Sequence, residues 1–388
     1  MKKRGFAEYF WLNKFIMKSC GVIPLANNYF LVNLIITIMP FITSGFLAIP
    51  AAYTLLFNWK KLNSIEKANI FSDHVELIVA IIKVAAILPQ RQKLIKLTQM
   101  CSELWEDIDY DHDYQKICNF ADGALRITYG FTFIVVFALI SILMVPAITD
   151  ILVIMNSTTA ESKQLPYSTG YFHDIKNSFN IWYGLQIIAG FISITQILAP
   201  DTSYVFLTFH GCVHARICQL NYSKIKRYTI NDEEQSSISW NFMLKCIHRH
   251  QKILEYAHLI EGVFSLVILI QMLLSITTIC IFGFNLLFQD AEKMKYAIHL
   301  FGAVVQLLFF CWPAQDLQNE TIAVADAVYD LPWMDWSKKD RQIIEIIIAR
   351  SQNFAKITVG KFSVISIETF SSTLSTAVSF FSVLRHVV

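Results

Sequence analysis

Six residues near the end of the chain follow one another at steps of three and four: Glu368, Ser372, Thr376, Ser379, Val383 and His386. That spacing sets them on one face of a helix. The chemistry such a face offers is the handling of ions. Hydroxyls can solvate a cation, one carboxylate concentrates cations near it, and Val383 is an apolar break in an otherwise polar line. The stretch from Ile365 to Leu384 carries Glu368 as its one formal charge. It is long enough to cross a hydrocarbon core, which takes roughly 20 residues. A membrane helix with a polar stripe must turn it toward protein or water. Ser and Thr also suit close helix packing, so spacing alone leaves both readings open.

No other group of residues carries as clear a chemistry. His248, His250, Glu255 and His258 invite a metal, but they lack the HExxH pattern and fall on a basic helix, so no metal is expected. Asp107, Asp109, Asp111 and Asp113 alternate as in a calcium loop but miss its Gly and terminal Glu, and read as a solvated turn. There is no P-loop, no GxSxG and no dinucleotide fingerprint, so neither an enzyme nor a cofactor is expected. Lys and Arg are spread over segment flanks rather than gathered into a patch, which gives no reason to expect nucleic acid.

The elements that must carry the stripe are those of a membrane protein. Hydrophobic residues make up 55% of the chain and charged residues 16%, against about a quarter charged in soluble domains. Seven apolar spans are expected, at Tyr29–Phe57, Ile70–Leu88, Ile127–Met155, Phe179–Phe209, Gly262–Phe288, Tyr296–Trp312 and Ile365–Leu384. Pro40 and Pro50 are expected to kink the first and Pro313 to stop the sixth. With the amino terminus in the cytoplasm, 23 Lys and Arg lie inside and eight outside, with Lys83 within the second span. The positive-inside rule selects that orientation, and seven spans put the carboxy terminus outside. No cleavable signal peptide is read at the amino terminus. The eight cysteines show neither CxxC nor zinc spacing, and none falls in an outside segment, so structural disulfides are not expected.

Two inside links are long and apolar on one side. Residues 210–261 carry Phe242, Cys246, Leu254, Ala257 and Ile260, and residues 313–364 carry Ile343, Ile346, Ile347 and Phe354. Helices that cannot cross must bury such a side against each other or a neighbouring subunit. The largest outside loop, 156–178, holds the sequon Asn156-Ser157-Thr158.

The ending TFSSTLSTAVSFFSVLR resembles the carboxy-terminal signature of insect odorant receptors. So do HRHQKILEYAHLIEGVFS, YDLPWMDW and RQIIEIIIARSQNFAKITVGKF. By layout the resemblance spans nearly the whole chain, with its sharp motifs in the last third. It implies an all-α membrane protein of seven transmembrane helices. Residues 1–312 would carry six helices, an outer-half ligand pocket and the long link between helices four and five. Residues 313–364 would be a cytoplasmic anchor and 365–388 a pore-lining helix. It further implies an odorant-gated, non-selective cation channel in the plasma membrane of olfactory sensory neurons. The partner would be the odorant receptor co-receptor, in a heterotetramer. Matched on its SVLR ending, the family's hydrophobic gate falls at Val383, with Val387 one turn on. Arg385 and His386 depart from the co-receptor's own ending, which implies an odorant-tuned subunit.

The ligand would then be a small, mostly apolar volatile held in an enclosed pocket with one or two polar groups. Candidate contacts in the outer halves of the spans are His74, Ile78, Met144, Ile148, Tyr183, Gln186, Ile276 and Cys280. Two rivals stay open. A G-protein-coupled receptor predicts the opposite orientation, and a transporter predicts internal repeats that are not visible.

Overall fold

The computed structural model describes residues 5–25, 30–108, 114–155, 165–167, 178–231, 236–289 and 293–387. The side chains of residues 114, 145–146, 149–155, 226–231, 236–239 and 386–387 lie outside that description. Asn156 and its sequon, and Asp109, Asp111 and Asp113, likewise fall outside it.

The described residues are almost entirely helical. A short amphipathic helix, α1 (Phe6–Ser19), precedes α2 (Phe30–Phe57), α3 (Ser64–Ile87), α4 (Arg91–Glu106), α5 (Tyr114–Met155) and α6 (Phe179–Asn231). Then come α7 (Ser236–Phe288), α8 (Lys293–Tyr329), α9 (Lys338–Gln352), the strands β1 (Thr358–Val359) and β2 (Ser363–Val364), and α10 (Ile367–Val387). Helices α2, α3, α5, α6, α7, α8 and α10 answer to the seven expected spans.

Five of these, α2, α5, α6, α7 and α8, contain windows long and apolar enough to cross a membrane by composition. Helix α3 falls short because it carries Glu66, Lys67, Asp73, Glu76 and Lys83. It starts cleanly, with a capping box in which the Asn63 side chain accepts from the Glu66 N–H at 2.7 Å and Glu66 accepts from the Asn63 N–H at 2.9 Å. Its buried charges are matched by neighbours. The Lys83 ammonium donates to both carboxylate oxygens of Asp201 on α6, at 2.9 and 3.0 Å. Gln306 of α8 donates to the same carboxylate at 2.7 Å. Lys295 of α8 pairs with Asp73 at 2.9 Å, both side chains being at most 5% exposed.

Pro313 does not stop the sixth span, as expected from sequence, but lies inside α8. The proline removes one backbone donor from the ladder. Two side chains of α6 supply donors beside it: the Tyr204 hydroxyl bonds the Phe310 carbonyl at 2.9 Å and the Cys212 thiol approaches the Pro313 carbonyl at 3.9 Å. The helix runs on for four more turns.

Helices α6 and α7 have 53 residues each. At about 1.5 Å per residue each is roughly 80 Å long, against roughly 30 Å of hydrocarbon. Their excess length joins the end of α8 and α9 in a second core. Tyr222, Met243, Cys246, Ile253, Val328, Ile344 and Ile347 are buried there. Ile347 is buried as the sequence predicts, and Ile343 is partly buried, but Ile346 points outward. The burying face of α9 runs through Ile344, Ile347 and Ser351 instead.

A feature without a sequence signal is the β1–β2 hairpin, paired Thr358 to Val364 and Val359 to Ser363. Its turn needs positive φ at Gly360 and Lys361. A Cβ on Gly360 would meet Leu269 at 2.6 Å, so the hairpin packs directly on α7. Glu261 of α7 accepts from the Thr358 N–H at 2.6 Å and from Lys361 at 2.6 Å. The residue after the hairpin, Ile365, gives its carbonyl to Gln318 of α8 at 2.7 Å. The base of α10 is thus fastened to α7 and α8.

Two outcomes test this account. Lys83→Met leaves the Asp201 carboxylate buried without its cation and should cost about 3–5 kcal/mol, whereas Lys83→Met with Asp201→Leu should recover most of the loss. Thermal unfolding of the detergent-purified chain reads both. The second outcome concerns His250, which burial, and then the nearby Arg350, lower from 6.5 to about 4. Between those two values the unfolded chain binds a proton that the folded chain refuses. Stability should therefore fall as pH drops from about 6.5 toward about 4, and His250→Gln should flatten that part of the pH profile.

Candidate functional site

Helices α3, α5, α6 and α8 do not close completely against one another, and a cavity of about 80 Å³ remains between them. Its apolar wall is Leu77 of α3, Ile134, Val135, Ala138, Leu139 and Ile142 of α5, and Ile194 and Ile197 of α6. Small residues make the space. Gly190 on α6 and Gly302 and Ala303 on α8 bring backbone to the wall, and a Cβ on Gly190 would come within 3.3 Å of the Tyr167 hydroxyl.

One side of the cavity is polar. Asp73, Glu76, His299 and Gln306 all contribute to the lining. Asp73 is held by Lys295, and Gln306 by Asp201. The His299 ring lies 3.4 Å from the Ser141 hydroxyl. Glu76 makes no hydrogen bond among the described residues, and its electrostatic neighbours are Lys83 and Asp201.

Tyr167 covers the cavity from the segment between α5 and α6. It is buried although its neighbours in sequence belong to a connecting loop. Gln186 holds it there, accepting from the Tyr167 N–H at 3.0 Å and donating to its carbonyl at 3.4 Å. A side-chain amide can satisfy both backbone groups of one residue in this way, which fixes Tyr167 against α6.

None of the eight side chains singled out from sequence lies on the cavity wall. His74 is buried, with Nδ1 2.7 Å from the Ile70 carbonyl and its ring 5.9 Å from that of Tyr167. Ile78, Met144 and Ile148 are exposed on the outside of the bundle. The Tyr183 hydroxyl donates to the Leu143 carbonyl at 2.5 Å. Ile276 and Cys280 lie on α7, and the Cys280 thiol faces the Ala377 carbonyl of α10 at 3.6 Å. Gln186 and His74 both touch a wall residue, Tyr167. The signal that could have found the wall was three acidic and basic residues, Asp73, Glu76 and Lys83, within one spanning segment.

Helix α10 lies on α7 through Phe370, Thr373, Leu374, Ala377 and Phe381, with the Phe381 ring against Gly283. Glu368, Ser372, Thr376, Ser379 and Val383 are all exposed on the opposite side, Val383 at 61%. The hydroxyls bond their own helix: Thr376 to the Ser372 carbonyl at 2.8 Å and Ser379 to the Ser375 carbonyl at 2.9 Å. The Val387 side chain lies outside the described residues.

Among the described residues one group has the geometry to hold a metal ion, Cys101, His210 and His214, whose ligand atoms lie within 4.8 Å of one another. The His210 ring lies tilted against Phe206 at 4.2 Å and meets Trp105 edge-on at 5.6 Å, so aromatic rings flank the group. Burial pushes the Cys101 thiol up to about 12, so a metal would have to displace a firmly held proton. The histidines noted from sequence do not converge: His248 and His258 are exposed, and Glu255 pairs with Lys96 at 2.9 Å. Two wider clefts, of about 230 and 350 Å³, open at the surface beside Phe120 and Phe30.

Comparison with known proteins agrees with this geometry. The family model described as 7tm odorant receptor matches residues 73–378. Odorant receptor 13a of Drosophila melanogaster is 26% identical over 59% of this chain and 59% of its own. Odorant receptor 10 of Aedes albopictus is 24% identical over 54% and 56%, and odorant receptor 47a of Drosophila melanogaster is 24% identical over 85% and 86%. The chain thus spans little more than half the length of the first two, and most of the third. The olfactory receptor OR5 of Machilis hrabei, solved in complex with eugenol, superposes with a TM-score of 0.79 at 14% identity, over 98% of this chain and 100% of that one. The likeness of that structure is one of fold. The family match, which covers well over half of the sequence, carries the assignment: this chain belongs to the 7tm odorant receptor family.

Proposed function

We propose that the chain is an odorant-binding subunit of a ligand-gated, non-selective cation channel. The observation that carries the reading is the mostly apolar cavity between α3, α5, α6 and α8 in a chain of this family. A cavity of that kind suits a small volatile molecule, since apolar walls supply affinity and a few polar groups orient the ligand. In this reading Tyr167 is the cover, Gln186 positions it, and His74 backs it. Ile78, Met144, Ile148, Tyr183, Ile276 and Cys280 support the surrounding helices rather than touch the ligand.

The amino terminus is cytoplasmic, as the distribution of Lys and Arg supports. The second core at the ends of α6, α7, α8 and α9 is then the cytoplasmic anchor. The partner is the odorant receptor co-receptor in a heterotetramer, and the setting is the plasma membrane of olfactory sensory neurons. The pore wall is the stripe Glu368, Ser372, Thr376, Ser379 and Val383, with Val387 beyond it. The stripe faces away from α7 and is free to line an axis shared between subunits. Val383 is the dewetting barrier.

Helix α8 links the two regions. It lines the cavity with His299, Gly302, Ala303 and Gln306, and it holds the base of α10 through Gln318. A ligand that fits the cavity better when α8 is displaced favours the open pore, because only differential affinity shifts the equilibrium.

Two recordings of membrane current from cells that also express the co-receptor test the reading. Val383→Thr should raise the current without odorant or alter ion selectivity, and Leu384→Thr, about 100° round the helix, should do less. Wild-type behaviour at Val383 with a change at Leu384 would put the pore on another face. Ala138→Phe fills the cavity and should raise the half-maximal concentration of every active odorant about tenfold or more, equivalent to ~1.4 kcal/mol, with basal current kept. Unchanged dose–response curves would remove the cavity from the ligand site.

A further inference from the structure

The charges around the cavity do not balance. Asp73 is neutralised by Lys295 at 2.9 Å and Asp201 by Lys83 at 2.9 Å, each pair buried between helices. Both oxygens of Asp201 are committed to Lys83, and Gln306 adds a third donor to the same carboxylate. Among the described residues Glu76 is one acid more than the cations match. It lines the cavity, it has no hydrogen-bond donor among the described residues, and the charges it feels are those of the pair already formed between Lys83 and Asp201. His299, on the same wall, is placed with Asp73, Lys295 and Ser141 rather than with Glu76.

A carboxyl group in an apolar enclosure is costly when ionised and unmatched, and leaves acceptors idle when it is not. Leu77, Ile134, Val135 and Ile194 line the same cavity with hydrocarbon. A ligand that supplied a donor and a positive charge at this point would satisfy the oxygens and balance the cluster together. An alcohol would supply only the donor, and an ester or ketone neither.

We propose that Glu76 is the recognition residue of the cavity and that the cavity takes a small monoamine, its ammonium paired with the Glu76 carboxylate and its hydrocarbon against α5 and α6. This rests on the cavity being the ligand site. The proton count closes by either route. Ammonium may meet carboxylate directly, or the free amine may take the proton from the carboxylic acid, and the bound pair is the same.

The test uses the full-length chain purified in detergent, with binding read as thermal stabilisation over a concentration series. The probes are cyclohexylamine and its neutral isostere cyclohexanol. Wild type should bind cyclohexylamine at least about tenfold more tightly than cyclohexanol, and Glu76→Gln should lose that preference, a change equivalent to ~1.4 kcal/mol. Glu76→Asp, which keeps the charge, should retain most of it. If Glu76→Gln binds cyclohexylamine as wild type does, or wild type prefers cyclohexanol, the amine assignment is overturned. The cavity reading then still stands, provided that Ala138→Phe abolishes binding of the preferred probe. If Ala138→Phe leaves both probes bound as before, or wild type binds neither, the amine assignment and the ligand site fall together. Should Glu76→Gln not fold, the wild-type preference between the two probes decides alone.

Discussion

Lys83, Asp201 and Gln306 meet in the interior from three different helices, and the bundle is built around that meeting. A charge in hydrocarbon is tolerated only when its partners come from the protein itself. Helix α3 is too polar to be recognised as a span by composition, yet it stands in the middle of the bundle because α6 and α8 bring it the counter-charges. The second pair, Asp73 with Lys295, does the same one side further along α3. Pinning α3 to α6 and α8 at these points holds the three helices apart wherever the facing residues are small. Gly190, Gly302 and Ala303 are small, and the cavity lies there.

Polar side chains join other helices as well. Ser44 of α2 reaches Ser193 and Gln196 of α6 at 2.9 and 2.5 Å. Gln186 answers both backbone groups of Tyr167, so a loop residue is carried into the bundle without orphaned polar atoms. In α10 the hydroxyls turn back on their own carbonyls, which leaves the helix free to present one polar face and one apolar face. Thr373, Ala377 and Phe381 are spent on α7, and the hydroxyl stripe, with Val378, Phe380, Val383 and Leu384 also exposed, remains for neighbours or water.

Beyond the spans, α6, α7 and α8 continue without a break into a second core shared with α9. The same three helices are common to both cores, and the hairpin at 358–364 ties the base of α10 to Glu261 and, through Ile365, to Gln318 of α8, which also lines the cavity. Aromatic packing of α1 on α6, with Phe10 5.4 Å from Phe206 and Phe6 edge-on to His210 at 5.6 Å, covers the junction between the two cores.

Hydrophobic length and the position of Lys and Arg are local properties, so the sequence alone determined the seven apolar segments, their expected orientation and the two-faced character of α10. The spacing of Glu368, Ser372, Thr376, Ser379 and Val383 survives in the structure as one exposed face because helical periodicity is fixed by the backbone. Pro313 misled because α8 runs on through it, packed on α6, where Tyr204 and Cys212 bond the neighbouring carbonyls of Phe310 and Pro313. The cavity wall was illegible for a similar reason. Which side of α3 or α5 faces inward depends on how four helices rotate against one another, and in a membrane both sides are apolar, so periodicity gives little contrast. Hence the sequence candidates Ile78 and Met144 lie one and two positions from the wall residues Leu77 and Ile142. Only the tertiary structure decided that Asp73 and Lys83 have partners among the described residues, that Glu76 is left facing the cavity, and that Gln186 holds a cover over it, because each of these depends on residues brought together from distant parts of the chain.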